Sequence, residues 1–175
     1  MLTVLNKPAG ILKSKTASAW SKTALVVLML SPLAYADTVT TTFNVSANVV
    51  DDCQVSATNI DFGDYRAVTA ADLDANSAVA VRCTLATAYE IGLDQGLGGV
   101  SVNDRKMLQG ANELSYQLFR DPARTQNWGN TPTTDTVAGT GTGNSQNFQV
   151  YARIPSNQNV ATGAYTDTIT VTVTF

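Results

Sequence analysis

The last eleven residues of the chain repeat with a period of two. Thr166, Thr168, Thr170, Thr172 and Thr174 take the even positions, while Tyr165, Ile169, Val171, Val173 and Phe175 take the odd ones. Successive side chains of a β-strand point to opposite faces, so this segment reads as a strand with one apolar face and one threonine face. A helix would not separate the two sets. The alternation recurs near the other end, with Val39, Phe43, Val45, Ala47 and Val49 on one side and Thr40, Thr42, Asn44, Ser46 and Asn48 on the other. Strands are therefore expected at both ends.

Between them, Ala78 to Leu85, Tyr89 to Leu93, Leu114 to Phe119 and Phe148 to Ile154 are rich in Val, Leu, Tyr and Phe and read as further strands. Gly96 to Gly110 and Gly129 to Gly143 are glycine- and threonine-rich and read as loops or hairpin ends. Thr69 to Leu73 is the one short helical candidate. Short strands at this spacing imply an all-β fold, an immunoglobulin-like sandwich in broad architecture.

Charge is distributed unevenly along the sequence. Lys7, Lys13, Lys15 and Lys22 precede the apolar run Ala24 to Leu30, and all 14 acids lie at or after Asp37. Basic residues, an apolar run, then Ala34-Tyr35-Ala36 form the pattern of a secretory signal peptide cleaved after Ala36. A membrane anchor is disfavoured, because the uncharged stretch from Thr23 to Ala36 has 14 residues and contains Pro32, against ~20 apolar residues for a bilayer span. The expected mature chain, from Asp37, carries six Arg and Lys106 against those 14 acids, a net charge of −7. Such a domain is not drawn to nucleic acid or to anionic membranes, and no membrane insertion is expected after processing.

Export places Cys53 and Cys83 in an oxidising compartment, where an even pair is expected to form a disulfide. It would close a loop of about 30 residues, which loop-closure entropy credits with roughly 3.5 kcal/mol. A redox or metal pair would call for C-x-x-C spacing or additional ligands.

Sites for catalysis are scarce. The chain has no histidine, which removes Ser-His-Asp and Cys-His nucleophiles and His-ligated zinc. The carboxylate pairs Asp51-Asp52, Asp61 with Asp64, and Asp72 with Asp74 fall in expected turns, where Asp bonds the local backbone, so turn chemistry outweighs calcium binding or glycoside hydrolysis. Gly96-Leu97-Gly98-Gly99 lacks the Lys-Ser/Thr of a phosphate loop. Asn44-Val45-Ser46 fits a glycosylation sequon inside an expected strand. Tyr116, Trp128 and Tyr151 are read as core or rim residues in preference to a sugar platform. No enzyme activity, cofactor or metal is expected.

The order of Cys53, Cys83, the stretch Leu114 to Gly129 (LSYQLFRDPARTQNWG), the stretch Val150 to Pro155 (VYARIP) and the ending Gly163 to Phe175 (GAYTDTITVTVTF) resembles the spore coat protein U-like domain family, which includes the pilins of archaic chaperone-usher pili. The similarity spans essentially the whole expected mature chain. It implies a sandwich that lacks its final strand and is completed by a strand from a periplasmic chaperone or from an identical or homologous pilin, with exchange at an outer-membrane usher. On that pattern residues 37–50 hold the donor strand, through Val39, Thr41, Phe43, Val45, Ala47 and Val49, and residues 51–175 form the pilin domain. Ile169, Val171, Val173 and Phe175 offer the edge that receives a strand. The alternative to a donor role is that Phe43 to Val49 forms the first strand of its own sandwich.

The function implied is a structural subunit of a surface pilus, exported through the periplasm, for adhesion and biofilm formation. The alternatives are a secreted spore-coat-type protein that does not polymerise, or a small carbohydrate-binding adhesin.

Overall fold

A computed structural model describes residues 36–68 and 71–175. The expected signal peptide, Ala36 aside, lies outside the described residues, as do Thr69 and Ala70 of the helical candidate. Leu73, its last residue, opens a strand instead.

The chain divides into two units, Met1–Val45 and Ser46–Phe175. Of the first, residues 36–45 are described, all of them exposed and outside any strand. Alternation alone does not hold a strand, because each backbone N–H and C=O needs a partner. The strand expected over Val39 to Val49 is accordingly not formed within the single chain.

The described residues of the second unit form eight strands: β1 Cys53–Ala57, β2 Leu73–Cys83, β3 Ala88–Leu93, β4 Arg105–Gln109, β5 Asn112–Phe119, β6 Val137–Thr140, β7 Gln146–Ile154 and β8 Val171–Thr174. They form two antiparallel sheets, ordered β1-β2-β7-β5-β4 and β6-β3-β8. Inward residues alternate along the central strands: Val79, Val81 and Cys83 from β2, Ile91 and Leu93 from β3, Leu114, Tyr116 and Leu118 from β5, Val150, Ala152 and Ile154 from β7. With Trp128 these side chains make one core between the sheets.

Three strands depart from the sequence reading. β4 occupies the end of the expected Gly96–Gly110 loop, because Gly110, at φ +59°, makes a two-residue turn that folds Gln109 back onto Asn112. β6 occupies part of the expected Gly129–Gly143 loop. A Cβ on Gly139 would sit 2.5 Å from Cζ of Tyr89, so the absence of a side chain lets β6 pair across that ring. β1 lay between expected elements. Its residues beyond Cys53 are exposed, and it is held by its ladder to β2 and by the Cys53–Cys83 disulfide, whose two cysteines are direct cross-strand partners.

The C-terminal strand is shorter than its alternation suggests. β8 pairs with β3 only from Val171, while Tyr165 to Thr170 runs on without a continuous ladder.

Candidate functional site

β1 and β8 are edge strands of different sheets, and each is paired on one side only among the described residues. They approach one another at the open side of the sandwich. Beyond Thr58, whose amide still reaches the Ala78 carbonyl, residues 59–67 make no backbone hydrogen bond to a strand. Tyr65 tethers this segment, its hydroxyl donating to the Pro155 carbonyl and accepting from the Gln158 amide, both at 3.0 Å. On the opposite flank the backbone leading to β8 is bonded at Thr166, which pairs with Leu108, and at Thr170, which pairs with Asp94.

Between these flanks the core lies open. One cavity of about 450 Å³ is lined by Ile60 and Phe62 on one side, Tyr165, Ile169 and Val171 on the other, and Val79, Leu118 and Val150 at its floor. A second, of about 650 Å³, continues past Tyr65, Leu114, Ile154 and Val160. Ile60, Phe62, Met107 and Tyr165 line both, so the two form one long groove. Finished protein interiors hold few voids larger than a water molecule. An apolar slot of this size, bounded by two unpaired backbone edges, has the form of a sandwich short of one strand.

Tyr116 and Asp167 form a polar station in the groove. Tyr116 donates its hydroxyl to Asp167 Oδ2 at 2.6 Å, and Asp167 Oδ1 accepts the amides of Leu97 and Thr168, each at 2.8 Å. Burial, then the neighbouring carboxylate, push the Tyr116 hydroxyl far above the usual phenol range, so it stays a donor. Behind it Arg105 is fully buried, donating Nε to the Asp94 carbonyl at 2.8 Å and Nη2 to the carbonyls of Leu93 and Trp128 at 2.9 and 2.7 Å. Desolvation lowers its pKa while the surrounding acids oppose the shift. Nothing in the sequence flags this arginine, which stands in a stretch read as a loop.

Of the residues expected to receive a strand, Ile169, Val171 and Val173 are half-buried against the core and Phe175 is 57% exposed. Of those expected to donate one, Val39, Phe43, Val45 and Val49 are all at least 85% exposed, and Thr41 and Ala47 are exposed as well. The remaining candidates serve structure. Asp61 caps the Gly63 amide at 2.8 Å, Asp51 accepts the Thr87 hydroxyl, and Asp72 and Asp74 pair with Arg153. Among the described residues no cluster of acidic or sulfur side chains could hold a metal ion. Trp128 is buried with its Nε1 on the Ile91 carbonyl, Tyr116 is in the core, and Tyr151 lies under the Arg124 guanidinium, so they share no platform.

The model of the Spore Coat Protein U domain matches residues 32–172. The chain belongs to this family. Spore coat U relatives include Protein U of Myxococcus xanthus, 36% identical over 177 residues, covering 92% of this chain and 98% of that protein. A solved chain from the CsuC–CsuE chaperone–tip adhesion subunit pre-assembly complex of the archaic chaperone-usher Csu pili of Acinetobacter baumannii shares the fold, with a TM-score of 0.55 and 28% identity. The match covers 73% of this chain and 40% of that one. This spore coat U domain thus has the immunoglobulin-like, all-β fold found in chaperone-usher pilus assemblies, in a family of coat and pilus structural proteins. Among the described residues no helix is long and apolar enough to cross a membrane.

Proposed function

We propose that the chain is a structural subunit of a surface pilus, polymerised by donor-strand exchange and serving adhesion and biofilm growth. The observation that carries this reading is the groove bounded by two unpaired edges in a chain that also bears an exposed, alternating apolar segment. A strand laid in the groove gains main-chain hydrogen bonds, and its inward side chains fill the slot. Burying Phe43, Val45 and Val49 at roughly 1.5 to 3 kcal/mol apiece contributes about 4 to 9 kcal/mol before ordering costs.

In this account signal peptidase cleaves after Ala36 and the Cys53–Cys83 bridge forms in the periplasm. A chaperone then lends a strand to the edge formed by Ile169, Val171, Val173 and Phe175. At the outer-membrane usher the Val39–Val49 segment of the next subunit replaces it. Cells making the chain without residues 38–50 should show no fibres by electron microscopy, and removal of Val173 to Phe175 should abolish co-purification with the chaperone. Unchanged fibres and unchanged chaperone capture would overturn the reading.

The match to the Spore Coat Protein U domain supports a second reading, a secreted coat-type protein that does not polymerise. Sedimentation of surface-released protein separates the two, since a coat protein sediments as a monomer and a pilin as a ladder of multimers.

A further inference from the structure

The groove wall and the segment proposed to enter it each break their apolar row once. Along the flank leading into β8 the row Tyr165, Asp167, Ile169, Val171 and Val173 alternates with exposed threonines, and Asp167 is its one charged residue, half-buried at the cavity edge. Along the N-terminal segment the row Val39, Thr41, Phe43, Val45, Ala47 and Val49 contains one hydrogen-bonding side chain, Thr41. Resting on the strand-exchange reading, we propose that Thr41 of one copy meets Asp167 of the next, and that this contact sets the register of the inserted strand.

The hydrogen-bond inventory supports the match. A carboxylate accepts about four hydrogen bonds. Among the described residues Asp167 receives three: two amides on Oδ1 and the Tyr116 hydroxyl on Oδ2. Its fourth acceptor position, on Oδ2, has no protein partner among the described residues. A strand that covers it with an apolar side chain strands an ionised acceptor, whereas a threonine hydroxyl completes it. Slipping the strand by two residues keeps the same face inward but sets Val39 or Phe43 against the carboxylate. The pair thus penalises every neighbouring register, as a single buried polar residue does in a coiled coil.

Direction is taken from the sheet this flank leads into; Asp167 lies ahead of β8, so in this register Val39–Val49 runs along residues 159–169 and meets the chaperone edge at Ile169. β6-β3-β8 is antiparallel throughout, and antiparallel pairing is the more stable per residue. With Thr41 opposite Asp167 in that sense, Val39 faces Ile169 and Phe43 faces Tyr165. Phe43, the largest side chain of the segment, then enters where Ile60, Phe62 and Met107 line both cavities.

Cross-linking of the full chain, exported and assembled in its own cells, tests the register. Val39→Cys is combined in turn with Ile169→Cys, Val171→Cys and Val173→Cys, and non-reducing gels are scored for interchain ladders. The expected result is a ladder for the pair at 39 and 169. Adding Thr41→Val should cut the yield at 169 relative to 171 by about tenfold, the effect of one hydrogen bond to a charged group. Ladders confined to 171 or 173, or a yield at 169 indifferent to Thr41→Val, overturn the register and leave strand exchange standing. No ladder for any pair while fibres still form overturns the register, and no ladder together with no fibres overturns strand exchange itself. A cross-link within one chain would show the groove filled by its own segment and overturn the assignment to a second copy.

Discussion

Cys53 and Cys83 face each other directly across the β1–β2 ladder, their Cα atoms 4.1 Å apart. The bridge fastens one flank of the groove at its root. Because β1 is exposed beyond Cys53, burial contributes little to holding it. Replacing both cysteines with serine should cost roughly 3.5 kcal/mol, the loop-closure contribution for a loop of this length. In denaturant melts the midpoint should fall, and hydrogen exchange should show β1 losing protection while β2 and β7 keep theirs. Uniform loss across all three strands would contradict the role given to the bridge.

Arg105 should prove costly to replace. Its guanidinium satisfies carbonyls of Leu93, Asp94 and Trp128 from within the core. Arg105→Leu leaves these acceptors without a partner and should destabilise the domain by about 3 kcal/mol or more. Lysine, with one nitrogen where arginine has a fork, should recover only part of that. Chemical denaturation of the two variants checks the order.

Gly139 and Tyr89 are expected to behave as a coupled pair. Gly139→Ala pushes a methyl group into the tyrosine ring and should cost about 1 to 3 kcal/mol. In a Tyr89→Ala background, already weakened by the lost ring, the same substitution should cost far less. Equal costs in both backgrounds would show that the ring is not what excludes a side chain there.

Stability should decline in acid partly through Asp74. Its carboxylate receives Nε and Nη2 of Arg153 at 2.7 and 2.9 Å, with Arg124 at 3.3 Å, and the hydrogen bond from Arg153 holds its pKa below the usual carboxylate range. A carboxylate lowered on folding contributes stability above its unfolded pKa, and that contribution is lost as the pH falls through the folded value. Asp74→Asn should therefore be less stable than the parent at neutral pH, with the difference fading below about pH 4. With 38% of the side chain exposed, the difference should stay under about 1 kcal/mol. A gap that persists unchanged at low pH would assign the effect to packing.

The elements legible in the sequence are those whose inward and outward faces differ most. β2, β3, β5 and β7 place Val, Ile, Leu and Tyr against the opposite sheet, and their alternation survives reading in one dimension. β4 and β6 were hidden because glycine marked both as loops, although Gly110 makes a tight hairpin turn and Gly139 makes room for Tyr89. β1 gave little signal because it is fastened covalently and not by burial. Arg105 was invisible for a related reason, since its burial depends on carbonyls brought together from three separated segments. An apolar edge at Ile169, Val171, Val173 and Phe175 was what the family resemblance implied. The groove's second flank, Asn59 to Ala67, carries no alternation, and only the fold brings Ile60, Phe62 and Tyr65 opposite Tyr165 and Ile169.

The most direct test supplies the missing strand within the same chain, where its effective concentration far exceeds that on a neighbour. Residues 38–50 are removed from the N-terminus and placed after Phe175 through a short flexible linker, so that the segment folds back along β8. Sedimentation and thermal melting are compared with a chain that merely lacks residues 38–50. The rearranged chain should be a soluble monomer without chaperone and should melt well above the shortened one, with Phe43→Asp in the transplanted strand erasing the gain. A shortened chain that is already a stable monomer with the same melting temperature would show that the groove needs no strand.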